Sequence, residues 1–167
     1  HDEIAELDTI KFIPKHLPFE NKRGTVVRID TGLGIPYFSN PEGPIWEGHT
    51  VTFVCLQLAY YMGFETVYLL GVDHDYGDYR RPNLELVATG PDAHHFDPSY
   101  FSRGVRWNAP DLARSEIAYS LAKAQFERDG RAIYNCSKHS KLTVFDYLSI
   151  DSILDGGPRV TAIVSAY

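Results

Sequence analysis

Three carboxylates and one imidazole follow an apolar segment of the chain within six residues. Residues 67–70 have the composition of a buried strand, and Asp73, His74, Asp75 and Asp78 come soon after them. A turn needs only one or two Gly, Asn or Asp residues to redirect the backbone. A carboxylate just past a strand, such as Asp73, is well placed to bind a ribose hydroxyl, a base edge or a hydrated Mg²⁺ ion. We therefore predict that Asp73, His74 and Asp75 contact a substrate, with a plain turn as the alternative.

A second candidate lies at the start of a predicted helix. Apolar residues recur at helical spacing along residues 51–62, which predicts a helix that begins after the N-cap residue Thr50 and runs to about Tyr61. Gly63 is the expected left-handed residue after its end. The free N–H groups at a helix start suit a phosphate or a carboxylate, so His49 and Thr50 are predicted ligand contacts. The alternative is that Thr50 is only a cap and His49 is solvated.

A third candidate is the long segment of residues 73–109, which has no convincing periodicity but many aromatic residues. Unstructured loops longer than about 12 to 15 residues are usually functional or disordered, and the aromatic content argues against disorder. We predict an ordered loop that covers the substrate, with Tyr76 and Tyr100 among the contacts. His95 is the candidate general base, because that role needs one imidazole within hydrogen-bond reach of an acceptor hydroxyl. An exposed loop histidine is the alternative.

The elements that must position these residues alternate between strands and helices. Thr25–Ile29 and residues 131–136 are predicted strands, and residues 110–130 predict a helix. The apolar stripe expected along that helix consists of Ile117, Leu121, Ala124 and Phe126. Buried strands that alternate with helices predict an α/β fold, Rossmann-like, with a mostly parallel sheet covered by helices on both faces and one long inserted loop. Ligands of such sheets bind beyond the carboxyl ends of the strands, where Asp73 lies.

The composition of the 167 residues narrows the classes of partner. A net charge of −6 argues against a surface that wraps nucleic acid. No apolar run reaches the roughly 18 to 20 residues that span a bilayer, so we expect no transmembrane segment and a cytoplasmic location. Cys55 and Cys136 lie in apolar segments, which suits reduced thiols in the core better than a disulfide framework.

Both ends of the sequence look cut. The first residue, His1, starts what reads as a helix, and residues 156–158 contain the Gly and Pro pattern of a linker. Residues 159–167 predict a buried strand, which cannot bury itself alone. We therefore expect an α/β domain over residues 1–155, incomplete at its N-terminus, and a linker with the first strand of another domain over residues 156–167.

Several ordered motifs together resemble the MptE-like domain, a family named for an archaeal 6-hydroxymethylpterin diphosphokinase. They cover residues within about 1–155 and read WEGHTVTF at 46–53, LAYYMGFETVYLLGVD at 58–73, HF at 95–96 with PSYF at 98–101, and SKLTVF at 140–145. In bacteria that domain also occurs in flagellin-modifying and surface-polysaccharide proteins. It is similar in turn to the family 42 sialyltransferases, whose YLxGIDF pattern is like residues 68–73. The tail, residues 158–167, resembles the opening strand of a family-two glycosyltransferase.

The resemblance implies a nucleotide-dependent transferase domain, glycosyltransferase-like, in surface-glycan synthesis or flagellin glycosylation. Asp73 with His49 and Thr50 would then hold a nucleotide-sugar, His95 would deprotonate a glycan acceptor, and a glycosyltransferase domain would be covalently linked. The glycine-rich first βα turn of the family is absent, which agrees with an incomplete N-terminus. Family members usually have Asn where this chain has His94, so His95 is the matching histidine.

Two other functions stay open. The first is pterin diphosphate transfer from ATP, in which Asp73 and Asp75 would bind Mg²⁺. The second is a non-catalytic module that binds a sugar or positions the adjacent glycosyltransferase. The lack of a P-loop disfavours only ordinary kinases.

Overall fold

A computed structural model gives the structure of the protein and describes residues 2–34, 37–39, 43–75, 82–87, 104–155 and 162–165. Within these ranges the helices are α1 (Asp2–Glu6), α2 (Val51–Tyr61), α3 (Leu112–Arg128) and α4 (Ile150–Leu154). The strands are β1 (Ile10–Pro14), β2 (Thr25–Ile29), β3 (Thr31–Gly32), β4 (Ile45–Trp46), β5 (Thr66–Leu70), β6 (Glu85–Val87), β7 (Arg106–Asn108), β8 (Ala132–Asn135), β9 (Asp146–Tyr147) and β10 (Ala162–Ser165).

The largest sheet in the described ranges has four parallel strands in the order β10-β5-β8-β9. The chain proceeds from β5 to β8 and β9 in one direction across the sheet, and β10 then lies on the other side of β5. The strand order therefore reverses between β5 and β10. The pairs β1–β2 and β3–β4 are also parallel, whereas β6–β7 is antiparallel. This mostly parallel pairing of strands, together with the helices, confirms the prediction of an α/β fold.

The helices lie on both faces of this sheet. Val67 and Leu69 of β5 are fully buried in the main core with residues of α2 and α3. Tyr68 instead packs with Cys136 and with Ile153 of α4. Because successive side chains of a strand point to opposite faces, α2 and α3 cover one face and α4 contributes to the other. None of the helices in the described part of the chain is long and apolar enough to cross a membrane.

The predicted boundaries of α2 are confirmed. Thr50 is the N-cap, and its side chain accepts a hydrogen bond from the backbone N–H of Thr52. Gly63 follows the helix with a φ of 85°, in the left-handed region that a glycine adopts without cost. The helix also buries Gln57, whose amide donates to the carbonyl of Trp46 and accepts from Ser39. The bond to Trp46 fixes the middle of α2 against β4.

The predicted core stripe of α3 is confirmed at two of its four positions. Phe126 is buried and Leu121 is half-buried against the main core, whereas Ile117 is 50% exposed and Ala124 is exposed. The buried face consists of Ser115, Ala118, Tyr119, Ala122 and Phe126. The small residues of this face allow α3 to pack closely against the segment that leads into α2. Close packing of two elements, rather than the placement of the largest apolar residues, thus sets the rotation of this helix.

The segment expected to lack regular structure contains a short antiparallel ribbon. Glu85–Val87 pairs with Arg106–Asn108. Next to this pair, the Asn83 N–H donates to the carbonyl of Ala109, and the Ala109 N–H donates to the carbonyl of Leu84. Strands of three residues are too short to give a readable alternation of apolar and polar residues. The sequence pattern therefore does not reveal them.

The apolar strand near the end of the chain joins the main sheet. Ala162–Ser165 pairs in parallel with β5, with Ala162 opposite Val67 and Ser165 opposite Leu70. We expect this strand to begin another domain, and in the structure its backbone pairs with β5 of the main sheet. This pairing gives hydrogen-bond partners to the backbone groups on that side of β5. The assignment of residues 156–167 to a second domain stays a prediction.

Candidate functional site

Two of the three predicted site segments meet beyond the carboxyl end of β5, and Tyr119 of α3 joins them. The Tyr119 hydroxyl lies 3.2 Å from Thr50 Oγ1 at the start of α2. Its ring packs edge-on against the ring of His74, with 6.0 Å between the ring centroids. The start of α2 and the turn after β5 are therefore separated by a single side chain. The predicted convergence of these segments at one edge of the sheet agrees with this geometry.

His74 has a buried side chain and a carboxylate partner. Its side chain is only 6% exposed, and its Nε2 atom lies 3.2 Å from Oε1 of Glu116 on α3. An ionised carboxylate only accepts hydrogen bonds, so Nε2 of His74 is the donor in this contact. The backbone of His74 has a φ of 52°, a left-handed conformation that is uncommon for a residue with a side chain. Such conformations persist where the surrounding structure fixes them, and they cluster at functional sites.

His49 lies in a tight turn that leads into α2. The backbone N–H of Thr50 donates to the carbonyl of Glu47 at 3.2 Å, and Gly48 and His49 between them have φ values of 60° and 59°. Two central residues with positive φ are typical of a type I′ turn. A side chain on Gly48 would place its Cβ 2.5 Å from the Phe53 ring, so the turn requires glycine. The turn holds His49 at the entrance to α2.

The turn after β5 is held by the segment that follows β8. The Val72 N–H donates to Ser137 Oγ at 3.0 Å, and Ser140 Oγ donates to the Val72 carbonyl at 2.6 Å. The Lys141 N–H donates to the carbonyl of Asp73 at 2.8 Å. These three contacts fix the strand end while the Asp73 side chain stays exposed. Ser137, Ser140 and Lys141 were not predicted, although their position directly after the predicted strand 131–136 was a usable signal.

Asp75, one of the two carboxylates predicted to bind Mg²⁺ under the diphosphokinase alternative, forms an ion pair in this arrangement. The carboxylate of Asp75 lies 2.8 Å from the ammonium group of Lys141, and a cation would have to displace that ion pair. Within the described residues, no three His, Cys, Asp or Glu side chains are grouped closely enough to hold a metal ion. The diphosphokinase alternative stays a prediction.

A cavity of about 220 Å³ lies beside His49. It is lined by Gly34, Trp46, His49, Arg114 and Ile117. Nη1 of Arg114 lies 3.5 Å from Nε2 of His49, so the guanidinium group stands at the entrance to α2. Arg114, like Glu116 and Tyr119, belongs to the first half of α3, and none of the three was predicted. The sequence does not indicate these three residues, because the large apolar residues of α3 predict that a different face of the helix points towards the core.

The remaining predicted residues of the site cannot be placed. His95, Tyr76 and Tyr100 lie outside the described residues. The general-base role of His95 and the substrate contacts of the two tyrosines therefore stay predictions.

Comparisons of the chain with protein-family models, with curated proteins and with solved structures found no match. The resemblance to the MptE-like domain thus remains a prediction from the sequence motifs.

Proposed function

We propose that this chain is a nucleotide-dependent transferase domain with a Rossmann-like sheet. In this proposal it is a glycosyltransferase-like member of the MptE-like family, and it acts in the cytoplasm in surface-glycan synthesis or flagellin glycosylation. The observation that carries the proposal is the convergence of the α2 start and the β5 turn where the strand order reverses. In open α/β sheets, nucleotides bind beyond the carboxyl ends of the strands at such a reversal.

Each described residue has a role in this proposal that suits its surroundings. Asp73 is exposed and its backbone is held, so its carboxylate is available for the hydroxyls of a ribose. The N-terminus of α2, with Thr50 and His49, faces the negative charge of the nucleotide phosphate. The side chain of His74 is buried, and its contact with Glu116 fixes the orientation of the ring beside Tyr119.

The proposed reaction is the transfer of a sugar from its nucleotide to an acceptor hydroxyl. A base takes the hydroxyl proton, the oxygen forms a bond to the anomeric carbon, and the bond from that carbon to the nucleotide phosphate oxygen breaks. His95 is the base proposed from the family resemblance. Asp73, His49 and Thr50 do not react in this scheme; they bind and orient the donor.

A thermal-shift panel of CMP, UDP, ADP and ATP, each with and without Mg²⁺, tests the proposal on the purified protein. A ligand that binds only the native state stabilises it by about 2.7 kcal/mol at a concentration one hundred times its Kd, which raises Tm measurably. We expect CMP or UDP to raise Tm without Mg²⁺. Stabilisation by ATP and Mg²⁺ alone would instead favour diphosphate transfer, and no stabilisation by any nucleotide would favour a non-catalytic module.

A further inference from the structure

Trp46 presents an unusual feature in the wall of the cavity beside His49. Its side chain is almost completely buried, with 2% of its surface exposed, and its ring packs edge-on against Phe53 and His49. Yet its Nε1–H group has no hydrogen-bond partner among the residues that the structure describes. A buried donor without an acceptor is energetically costly. Nε1 itself has almost no accessible surface, so an acceptor in the cavity would satisfy it after a small movement of the neighbouring side chains.

The other polar groups of the cavity also favour an acceptor with negative charge. Arg114 contributes a permanent positive charge, and its side chain is 63% exposed. Nε of this residue lies 3.6 Å from the carboxylate of Asp111, and Nη1 lies 3.5 Å from Nε2 of His49. Asp111 is also the N-cap of α3 and accepts from the Arg114 N–H, so it holds this residue in place. In the described part of the chain, the Nη2 donors of Arg114 have no acceptor.

The size and position of the cavity suit one charged group of a larger ligand. Its volume of about 220 Å³ is below the range of about 300–1,000 Å³ that is typical of pockets for whole drug-sized molecules. It adjoins the turn before α2, whose N-terminus carries partial positive charge. A guanidinium group, an indole N–H and a helix start together are suited to an oxyanion.

We propose that this cavity, between Trp46 and Arg114, binds a phosphate group of the nucleotide ligand. The proposal rests on the proposed function, since that function supplies the nucleotide. In this proposal Arg114 provides the charge and the unpaired indole N–H of Trp46, another lining residue, provides a neutral donor. The cavity thereby sets where the phosphate lies relative to Asp73, whose carboxylate contacts the ribose in the proposed site.

The test follows the indole N–H signal of Trp46 by ¹⁵N NMR during titration with inorganic phosphate, diphosphate and acetate. Comparison of the variants Trp46→Phe and Trp107→Phe assigns the two indole signals. We expect phosphate or diphosphate to shift the Trp46 signal in a saturable way. Arg114→Gln should weaken that binding about tenfold or more, because a charge-assisted contact is lost. Arg128→Gln, an exposed arginine at the far end of the same helix, is the matched control and should bind normally.

Several outcomes would overturn the proposal. They are the absence of a saturable shift, equal binding by wild-type protein and Arg114→Gln, and tighter binding of acetate than of phosphate. Should Arg114→Gln fold poorly by circular dichroism, Arg114→Lys replaces it. That variant keeps the charge but loses the planar pair of donors, and it should bind phosphate more weakly than wild-type protein.

The nucleotide panel separates this proposal from the proposed function. If a nucleotide raises the Tm of wild-type protein and of Arg114→Gln equally, and phosphate does not shift the indole signal, the cavity proposal fails and the transferase proposal stands. If phosphate binds at the cavity but no nucleotide raises Tm, the transferase proposal fails and the oxyanion site stands.

Discussion

Asp73 is the residue on which the proposed binding site depends most directly. Its backbone carbonyl is held by Lys141, but its side chain is exposed. Substitution of an exposed side chain usually changes the free energy of unfolding by no more than about 0.5 kcal/mol. The Asp73→Asn variant should therefore keep its stability while it loses a large part of the Tm increase that nucleotide produces in wild-type protein.

Asp155→Asn is the matched control for this substitution, since Asp155 is an exposed carboxylate at the end of α4 on the other face of the sheet. It should leave both stability and the nucleotide response unchanged. A marked loss of stability in Asp73→Asn, with an unchanged nucleotide response, would mean that Asp73 is a structural turn residue.

The two cysteines are free thiols with a low tendency to ionise. Cys136 is buried and Cys55 is half-buried, and burial raises the pKa of both thiols above the ordinary value. A raised pKa leaves less thiolate at a given pH, and thiolate is the reactive form. We expect slow labelling of the native protein by a disulfide reagent at pH 8 and faster labelling as the pH rises.

Unfolding in denaturant is the control for this experiment, because it should make both thiols react at the rate of a free cysteine. Rapid labelling of both thiols in the native protein at pH 8 would contradict the expected pKa shift.

At the scale of the elements, the turn from Glu47 to Thr50 determines how α2 meets α3. Gly48 has a positive φ, and a Cβ at this position would lie 2.8 Å from Cβ of Ala118 as well as against Phe53. The Gly48→Ala variant should lose about 2–4 kcal/mol of stability, since it combines backbone strain with overpacking. Chemical denaturation with a constant m-value measures this loss.

Gly63→Ala is a suitable comparison, because Gly63 also has a positive φ but has open space where a Cβ would be. At Gly63 only the backbone strain of a side chain at a positive φ applies. We therefore expect Gly63→Ala to lose about 1 kcal/mol of stability. Equal losses in the two variants would show that the contact between the turn and α3 contributes nothing.

At the scale of the whole molecule, the sequence was most informative where elements are long and have clear ends. The capping residue Thr50 and the terminal Gly63 defined α2, and the position of Asp73 after β5 indicated one edge of the site. Helix caps and strand ends depend on a few neighbouring residues, so the sequence alone can indicate them. The alternation of such elements was enough to predict the α/β class.

What could not be predicted depends on contacts between distant parts of the chain. Arg114, Glu116 and Tyr119 reach the site because small residues turn one face of α3 towards the core, and the sequence of α3 alone suggested another face. The ribbon of β6 and β7 has strands too short for a readable pattern. In each case, packing between separate segments outweighs local periodicity.

The position of β10 has a consequence for the order in which the sheet forms. Val67 of β5 pairs with Ile133 of β8, 66 residues further along the chain, and with Ala162 of β10, 95 residues further along. Loop-closure entropy rises only slowly with loop length, but contacts of larger sequence separation slow the search for the native topology. The β5–α3–β8 unit can therefore assemble first and present an open edge. Until β10 arrives, that edge is free to pair with another chain, which makes the slow step of folding also the step most exposed to aggregation.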